Sequence, residues 1–234
     1  MFDETLKSEI IQIAKDNDLE PATLFAVVEV ESAGKLGAKV NGRMEPLIRI
    51  EGHYFYRLLP NGKRNRAVVA GLASSKAGRV KNPIRQAARW RMLKRAEDID
   101  RPAALASCSW GCGQVMGSHW RWLGYASIDA LVAEARDGAG GQVRLMMRYI
   151  KKAGLIEKLQ NHDWAGFARA YNGPGYRKYK YDRKMLAAYK RHASRFSISE
   201  VSMELPARNC VILLRFGSVG QNVRELQRKL PAGV

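Results

Sequence analysis

Cysteine is scarce in this chain, and what there is comes as an odd number. Cys108, Cys112 and Cys210 are too few for a disulfide framework, which excludes the small disulfide-stapled secreted domains. Cys108 and Cys112 stand four residues apart with no His or further Cys at zinc-finger spacing, so they read as small buried apolar residues, with no metal and no organic cofactor suggested. Long apolar runs are missing too: no window approaches the roughly 18 residues of a membrane span. The N-terminal stretch MFDETLKSEIIQIAKDNDL has neither a basic leader nor a long apolar segment. It reads as an amphipathic first helix with no signal peptide, so a protein made and held in a cytoplasm is expected. Acidic residues are outnumbered, 22 against 40 Lys and Arg, leaving a net charge of +18. An excess of that size predicts attraction to a polyanion without naming it.

What is present fits a globular fold: 46% apolar residues and five tryptophans in 234 residues, enough for one main core and a small appendage. The positive charge is clustered. Residues 76–95 hold eight basic residues and no acidic one, and residues 177–195 hold eight against Asp182 alone. Trp90, Tyr176, Tyr179, Tyr181 and Tyr189 are interleaved with these clusters, as on a nucleic-acid surface. A polyanionic cell envelope, or a solvated face that keeps the protein soluble, accounts for the charge equally well.

Helical periods dominate. The pattern predicts helices over 4–16 and 21–33, the second opened by Pro21 and stopped by Gly34 and Gly37. The stretch VNGRMEPLIRIEGHYFY carries an Asn41-Gly42 turn and the only alternating run, so strands are expected there alone. A short helix over 53–59 closes at Pro60-Asn61-Gly62, and a basic loop follows. Further helices are expected around 83–96 and 103–109, from Ser127, after Gly141 (with Val143, Met146, Met147 and Ile150 as core stripe), from Asp163, and over 184–195. Eight or nine helices and at most a small hairpin make the fold class mainly α. After Phe196 the composition turns linker-like. The expected organisation is a main domain over 1–197, a linker over 198–210 and a short segment over 211–234 too small to bury its own core.

FAVVEVESAG, residues 25–34, places two glutamates in an apolar helix with a single residue between them. At about 100° per residue, Leu24, Val27, Val28 and Glu31 share one arc while Glu29 points to the opposite side. Glu29, with Lys15 and Glu20, then reads as solvated charge. Glu31 on the apolar arc is desolvated, which raises its pKa and keeps a proton on it, as a general acid requires. The plainer reading is a core-edge glutamate paired with an arginine. Two further stretches add to a carbohydrate cleft. Ser109-Trp110-Gly111-Cys112-Gly113-Gln114-Val115-Met116-Gly117 permits close backbone approach and offers the Gln114 amide. Ala170-Tyr171-Asn172-Gly173 presents an amide and a ring at a helix end.

Residues 20–195 resemble the N-acetylmuramidase catalytic domain of phage endolysins, a branch of the lysozyme-like superfamily. The resemblance rests on VESAG, IEGHYFY, SWGCGQVMG and AYNGPGY in that order; goose-type lysozymes and lytic transglycosylases show looser versions of the first, third and fourth. It implies a lysozyme-like helical domain that cuts the β-1,4 link between N-acetylmuramic acid and N-acetylglucosamine of peptidoglycan. Glu31 would be the proton donor and Glu51 the second carboxylate, with Glu45 behind it. Ser109, Gln114, Tyr171 and Asn172 would position substrate. The tail LRFGSVGQNVRELQRKL resembles the opening of a three-helix peptidoglycan-binding module whose remainder is absent. A monomer is expected, resident in a host cytoplasm until released to the wall, with anionic outer-membrane components as further partners and no specific nucleic acid. Two alternatives stay open: a lytic transglycosylase, which needs only one carboxylate, and a basic nucleic-acid-binding protein.

Overall fold

The computed structural model describes residues 2–203, with side-chain surroundings through residue 196. It is mainly helical with two small antiparallel sheets. Helices α1 (Glu4–Lys15) and α2 (Pro21–Ser32) form the opening pair; Asp3 caps α1 by accepting the Leu6 N–H at 2.8 Å. Strands β1 (Ala38–Val40) and β2 (Arg43–Glu45) then make a hairpin across Asn41-Gly42, both at positive φ as a tight turn of this hand requires.

Strand β3 (Ile48–Ile50) pairs instead with β4 (Cys108–Trp110), and β4 with β5 (Val115–Met116). The last two strands fall where a glycine-rich helix break is expected. All three β4 residues are buried, so the sequence shows no alternation there. One face of this sheet (Ile48, Ile50, Cys108, Trp110) enters the core, and the other carries Arg49 and Ser109, which are cross-strand partners. Asn82 closes the outer edge of β3 like a missing strand: its Oδ1 accepts the Ile50 N–H at 2.9 Å and its Nδ2 donates to Ile50 O at 2.8 Å.

Helix α3 (Gly52–Leu58) is followed at once by α4 (Asn61–Val69), so Pro60 caps a new helix where a closing turn and basic loop are expected. Only Ala67 of α4 is buried, too little to print a period on NGKRNRAVV. The two helices expected around 83–96 and 103–109 run on as α5 (Gln86–Ala106), kinked at Asp100 (φ −160°, ψ 102°). Asp100 Oδ1 accepts the Ala103 N–H at 3.0 Å, so a side chain restarts the helix just ahead of Pro102. Then follow a 3-10 turn (Gly117–His119), α6 (Ile128–Arg136, capped by Ser127), α7 (Gly138–Lys152), α8 (Ile156–Gln160), α9 (Trp164–Asn172, capped by Asp163), α10 (Tyr176–Tyr179) and α11 (Tyr181–Met203). Helix α7 begins three residues ahead of Gly141. Helix α11 starts earlier than residue 184 and continues into the linker-like stretch; the 211–234 segment and Cys210 lie outside the described residues.

The core gathers the sheet's inner face with Phe55, Leu93, Leu131 and Leu145. Each such side chain withdrawn from water contributes roughly 1.5–3 kcal/mol. Helix α1 packs on both α2 and α7, and α6 on α7, which leaves the last turn of α2 facing the sheet loop and the end of α9. No described helix is long and apolar enough to cross a membrane.

Candidate active site

Helix α2 is buried from Ala22 through Val28, on every side. The arc shared by Leu24, Val27 and Val28 therefore does not by itself single out Glu31. Position along the helix does: Glu31 lies in the last turn, where α2 emerges from the core. Ser32 ends it, its Oγ accepting the Gly34 N–H at 3.1 Å, while Ala33 and Gly34 turn through positive φ. The ESAG sequence thus fixes the carboxyl at a sharp exit. Burial pushes the Glu31 pKa up to about 7, against the opposing effect of Asn172. The Asn172 amide nitrogen donates to both carboxylate oxygens, at 3.0 and 3.1 Å. No guanidinium or ammonium approaches it among the hydrogen bonds and ion pairs of the described residues, so the paired core-edge alternative does not apply. The negative end of the α2 dipole disfavours an anion there as well.

Glu29 lies elsewhere than in bulk solvent, which corrects its reading as free surface charge. It is ion-paired with Arg191, and its Oε2 lies 2.8 Å from His192 Nε2, tying α2 to α11. Burial would raise its pKa, but the His192 hydrogen bond and the Arg191 charge outweigh that and hold it low. Glu20 is also engaged, accepting the Tyr189 hydroxyl at 2.9 Å.

Asn172 ends α9, and Gly173 leaves it at φ 81°, ψ −174°, a conformation reserved for glycine. Its Oδ1 is buried without a partner, an acceptor awaiting a donor. The preceding Tyr171 donates its hydroxyl to Gly113 O at 2.9 Å; a Cβ on Gly113 would come within 2.8 Å of that hydroxyl, so the glycine is needed for the approach. Next to Gly113, Gln114 takes a positive φ and its Oε1 accepts the Ser109 hydroxyl at 3.0 Å. Beside them a cavity of about 120 Å³ is walled by Gln114, Met116, His119, Tyr149 and Tyr171, with His119 kept toward its neutral form by burial.

The structure thus links Glu31, Asn172, Tyr171, Gln114 and Ser109 into one surface. Glu51 reaches it through Arg49, the cross-strand partner of Ser109: Arg49 Nε donates to Glu51 Oε1 at 2.7 Å. His53 Nδ1, buried without a hydrogen bond, lies 3.7 Å from the other Glu51 oxygen. Glu45 is held differently. Both its oxygens are taken by the Arg136 guanidinium, which in turn lies over the Trp90 ring. Cys108 and Cys112 are buried and free, and burial pushes the Cys112 thiol up to about 12 and that of Cys108 higher still.

One residue that shapes the site was invisible in the sequence. Gln142 sits buried among the apolar stripe of α7, with Oε1 accepting the Cys112 N–H at 3.0 Å and Nε2 donating to Leu36 O at 2.7 Å. It clamps the β4–β5 loop to the segment leaving α2. A polar residue in an otherwise apolar stripe is the signal that could have marked it. The aromatics interleaved with the basic clusters divide: Trp90 donates to Pro46 O at 3.2 Å and meets Trp110 edge-on, and Tyr176 is buried, while Tyr181 and Tyr189 are half-buried and Tyr179 is exposed.

A mainly helical domain with small sheets set around a desolvated carboxyl has the lysozyme-like fold. The N-acetylmuramidase family model matches residues 20–193, and the chain belongs to that family of glycoside hydrolases acting on peptidoglycan. The crystal structure of a Burkholderia AP3 phage endolysin superposes with a TM-score of 0.71 at 32% sequence identity, over 80% of this chain and 71% of that one. No curated protein matches.

Proposed function

We propose that the protein is an endolysin that hydrolyses the β-1,4 bond between N-acetylmuramic acid and N-acetylglucosamine, with Glu31 as general acid. The observation that carries this reading is the Glu31 carboxyl itself: half-buried, its pKa raised by desolvation to about 7, and held on both oxygens by a neutral amide. Glu31 gives its proton to the bridging oxygen as the bond to the muramic acid C1 breaks, and Asn172 steadies the carboxylate left behind. Water adds to the oxocarbenium-like centre, and Glu51 is the carboxylate that assists. Arg49, hydrogen-bonded to it, holds that carboxylate in place. The unpartnered Asn172 Oδ1 accepts a donor from the sugar. Ser109, Gln114 and Tyr171 orient the glycan. Glu45, held by Arg136, acts through the hairpin that it anchors.

In this reading the protein works as a monomer, waits in a host cytoplasm, and on release lyses the host from its periplasmic wall. Its positive charge draws it to anionic envelope components. The test is digestion of purified peptidoglycan with mass analysis of the fragments. Wild type should give reducing muropeptides, and Glu31→Gln none. If Glu51→Gln leaves cleavage intact and the products are lighter by one water, the reaction is a transglycosylation to a 1,6-anhydro sugar and the hydrolase reading fails.

A further inference from the structure

A second cavity, of about 390 Å³, shares no lining residue with the one beside Tyr171. Its walls are Gly71 and Leu72, just past α4, and Lys81 and Pro83 in the next loop; its floor is the α5 face bearing Arg91, Met92 and Arg95. Leu72 and Met92 are buried and give it an apolar base. Arg95 donates to Ala70 O at 2.9 Å, while Lys81 and Arg91 make neither a hydrogen bond nor an ion pair among the described residues. Neighbouring carboxylates are engaged elsewhere, Asp98 by Lys94 and Asp100 by Lys63.

Aliphatic side chains stand on both rims. Ile84, next to Pro83, is 96% exposed, and Val69, just ahead of Gly71, is 86% exposed, with Val68 beside it at 43%. A cationic hollow is ordinary for a basic protein, but one rimmed by fully exposed branched aliphatics is not, since nothing in a glycan or a nucleic-acid backbone would reward those side chains. An acyl–headgroup boundary would: the aliphatics leave water while the cations meet phosphates.

We propose that this face docks on an anionic phospholipid bilayer. Ile84 and Val69 enter the headgroup layer, and Lys81, Arg91 and Arg95 contact lipid phosphates over the apolar base. This gives the proposed envelope attraction a definite place on the molecule, and it requires nothing of Glu31.

Co-sedimentation of the full chain with vesicles tests it, using phosphatidylcholine mixed with phosphatidylglycerol against phosphatidylcholine alone at fixed ionic strength. Binding should require the anionic lipid. Lys81→Ala/Arg91→Ala should weaken it about twenty-fivefold, from roughly fivefold per cation at the surface, and Ile84→Ser about threefold or more. All three side chains are exposed, so an unchanged melting temperature and an unchanged rate on purified peptidoglycan are expected. Those two controls separate failure here from failure of the muramidase reading. Lys151→Ala/Lys152→Ala removes equal charge from the exposed end of α7 and should cost less than about threefold. An equal loss in that control would make the binding a matter of net charge and overturn the proposal, as would an unaffected Ile84→Ser. Loss of binding to purified sacculi or to duplex DNA, with vesicle binding intact, would reassign the cations and overturn it too.

Discussion

Glu29 and Glu31 leave the same helix two residues apart, yet they meet opposite surroundings. On one side Arg191 and His192 of α11 supply charge and hold Glu29 ionised; on the other a lone amide supplies dipoles, burial prevails, and Glu31 keeps its proton to about pH 7. The difference lies in depth and in partner charge together: Glu31 is the more deeply desolvated, and only Glu29 has cations to offset its burial. A carboxylate given a cation becomes a tie between helices, and one given only Asn172 becomes an acid.

The contrast can be broken from the catalytic side first. Glu31→Gln should lower turnover of purified peptidoglycan by about 10²–10⁴-fold, the usual yield of a positioned general acid, whereas Glu29→Gln should stay within a few-fold of wild type. Stability should move the other way. A carboxyl whose pKa rises from 4.5 to about 7 on folding binds its proton more tightly in the native state, so stability is lost as pH climbs through that interval. Glu31→Gln escapes this loss, and at pH 8 it should be more stable than wild type by about 1–3 kcal/mol, the gain vanishing near pH 4 in denaturant titrations.

Asn172→Asp sharpens the comparison by placing a second carboxyl against Glu31. The pair then shares a proton, and the high-pH limb of kcat/KM should shift upward by about one unit. Arginine at the same position would make Glu31 resemble Glu29 and pull that limb down. The smallest effect is expected of Glu29→Gln, about 0.5–1 kcal/mol of stability at neutral pH, since its ion pair is partly solvated. A loss as large as that from a core cavity would show that the α2–α11 tie matters more than its exposure suggests.

Much of this was legible in the sequence for identifiable reasons. Helix caps at Ser127 and Asp163, the Asn41-Gly42 turn and the α7 stripe are local signals, and local structure follows them. The β4–β5 hairpin was not, because both faces of β4 are buried; nor was α4, which buries only Ala67 and so carries no apolar period. At the site, motif order brought together Glu31, Ser109, Gln114, Tyr171 and Asn172. The arc argument that first drew attention to Glu31 turned out not to discriminate, since α2 is covered all round. What determines its chemistry is burial at the helix exit, which outweighs the opposing pull of an amide 141 residues downstream. The partners of Glu29 are farther still, 162 and 163 residues away, and no pattern near residue 29 announces them.

The buried amide of Gln142 has a consequence for how this enzyme can vary. Because one side chain grips both the hairpin tip at Cys112 and the backbone at Leu36, the spacing between the two walls of the site is set by a rigid span of a few bonds. Residues 38–45, the first hairpin, lie outside that span. They are held separately, by the Glu45–Arg136 pair, so a shift of that hairpin need not loosen the jaw that closes on the bond.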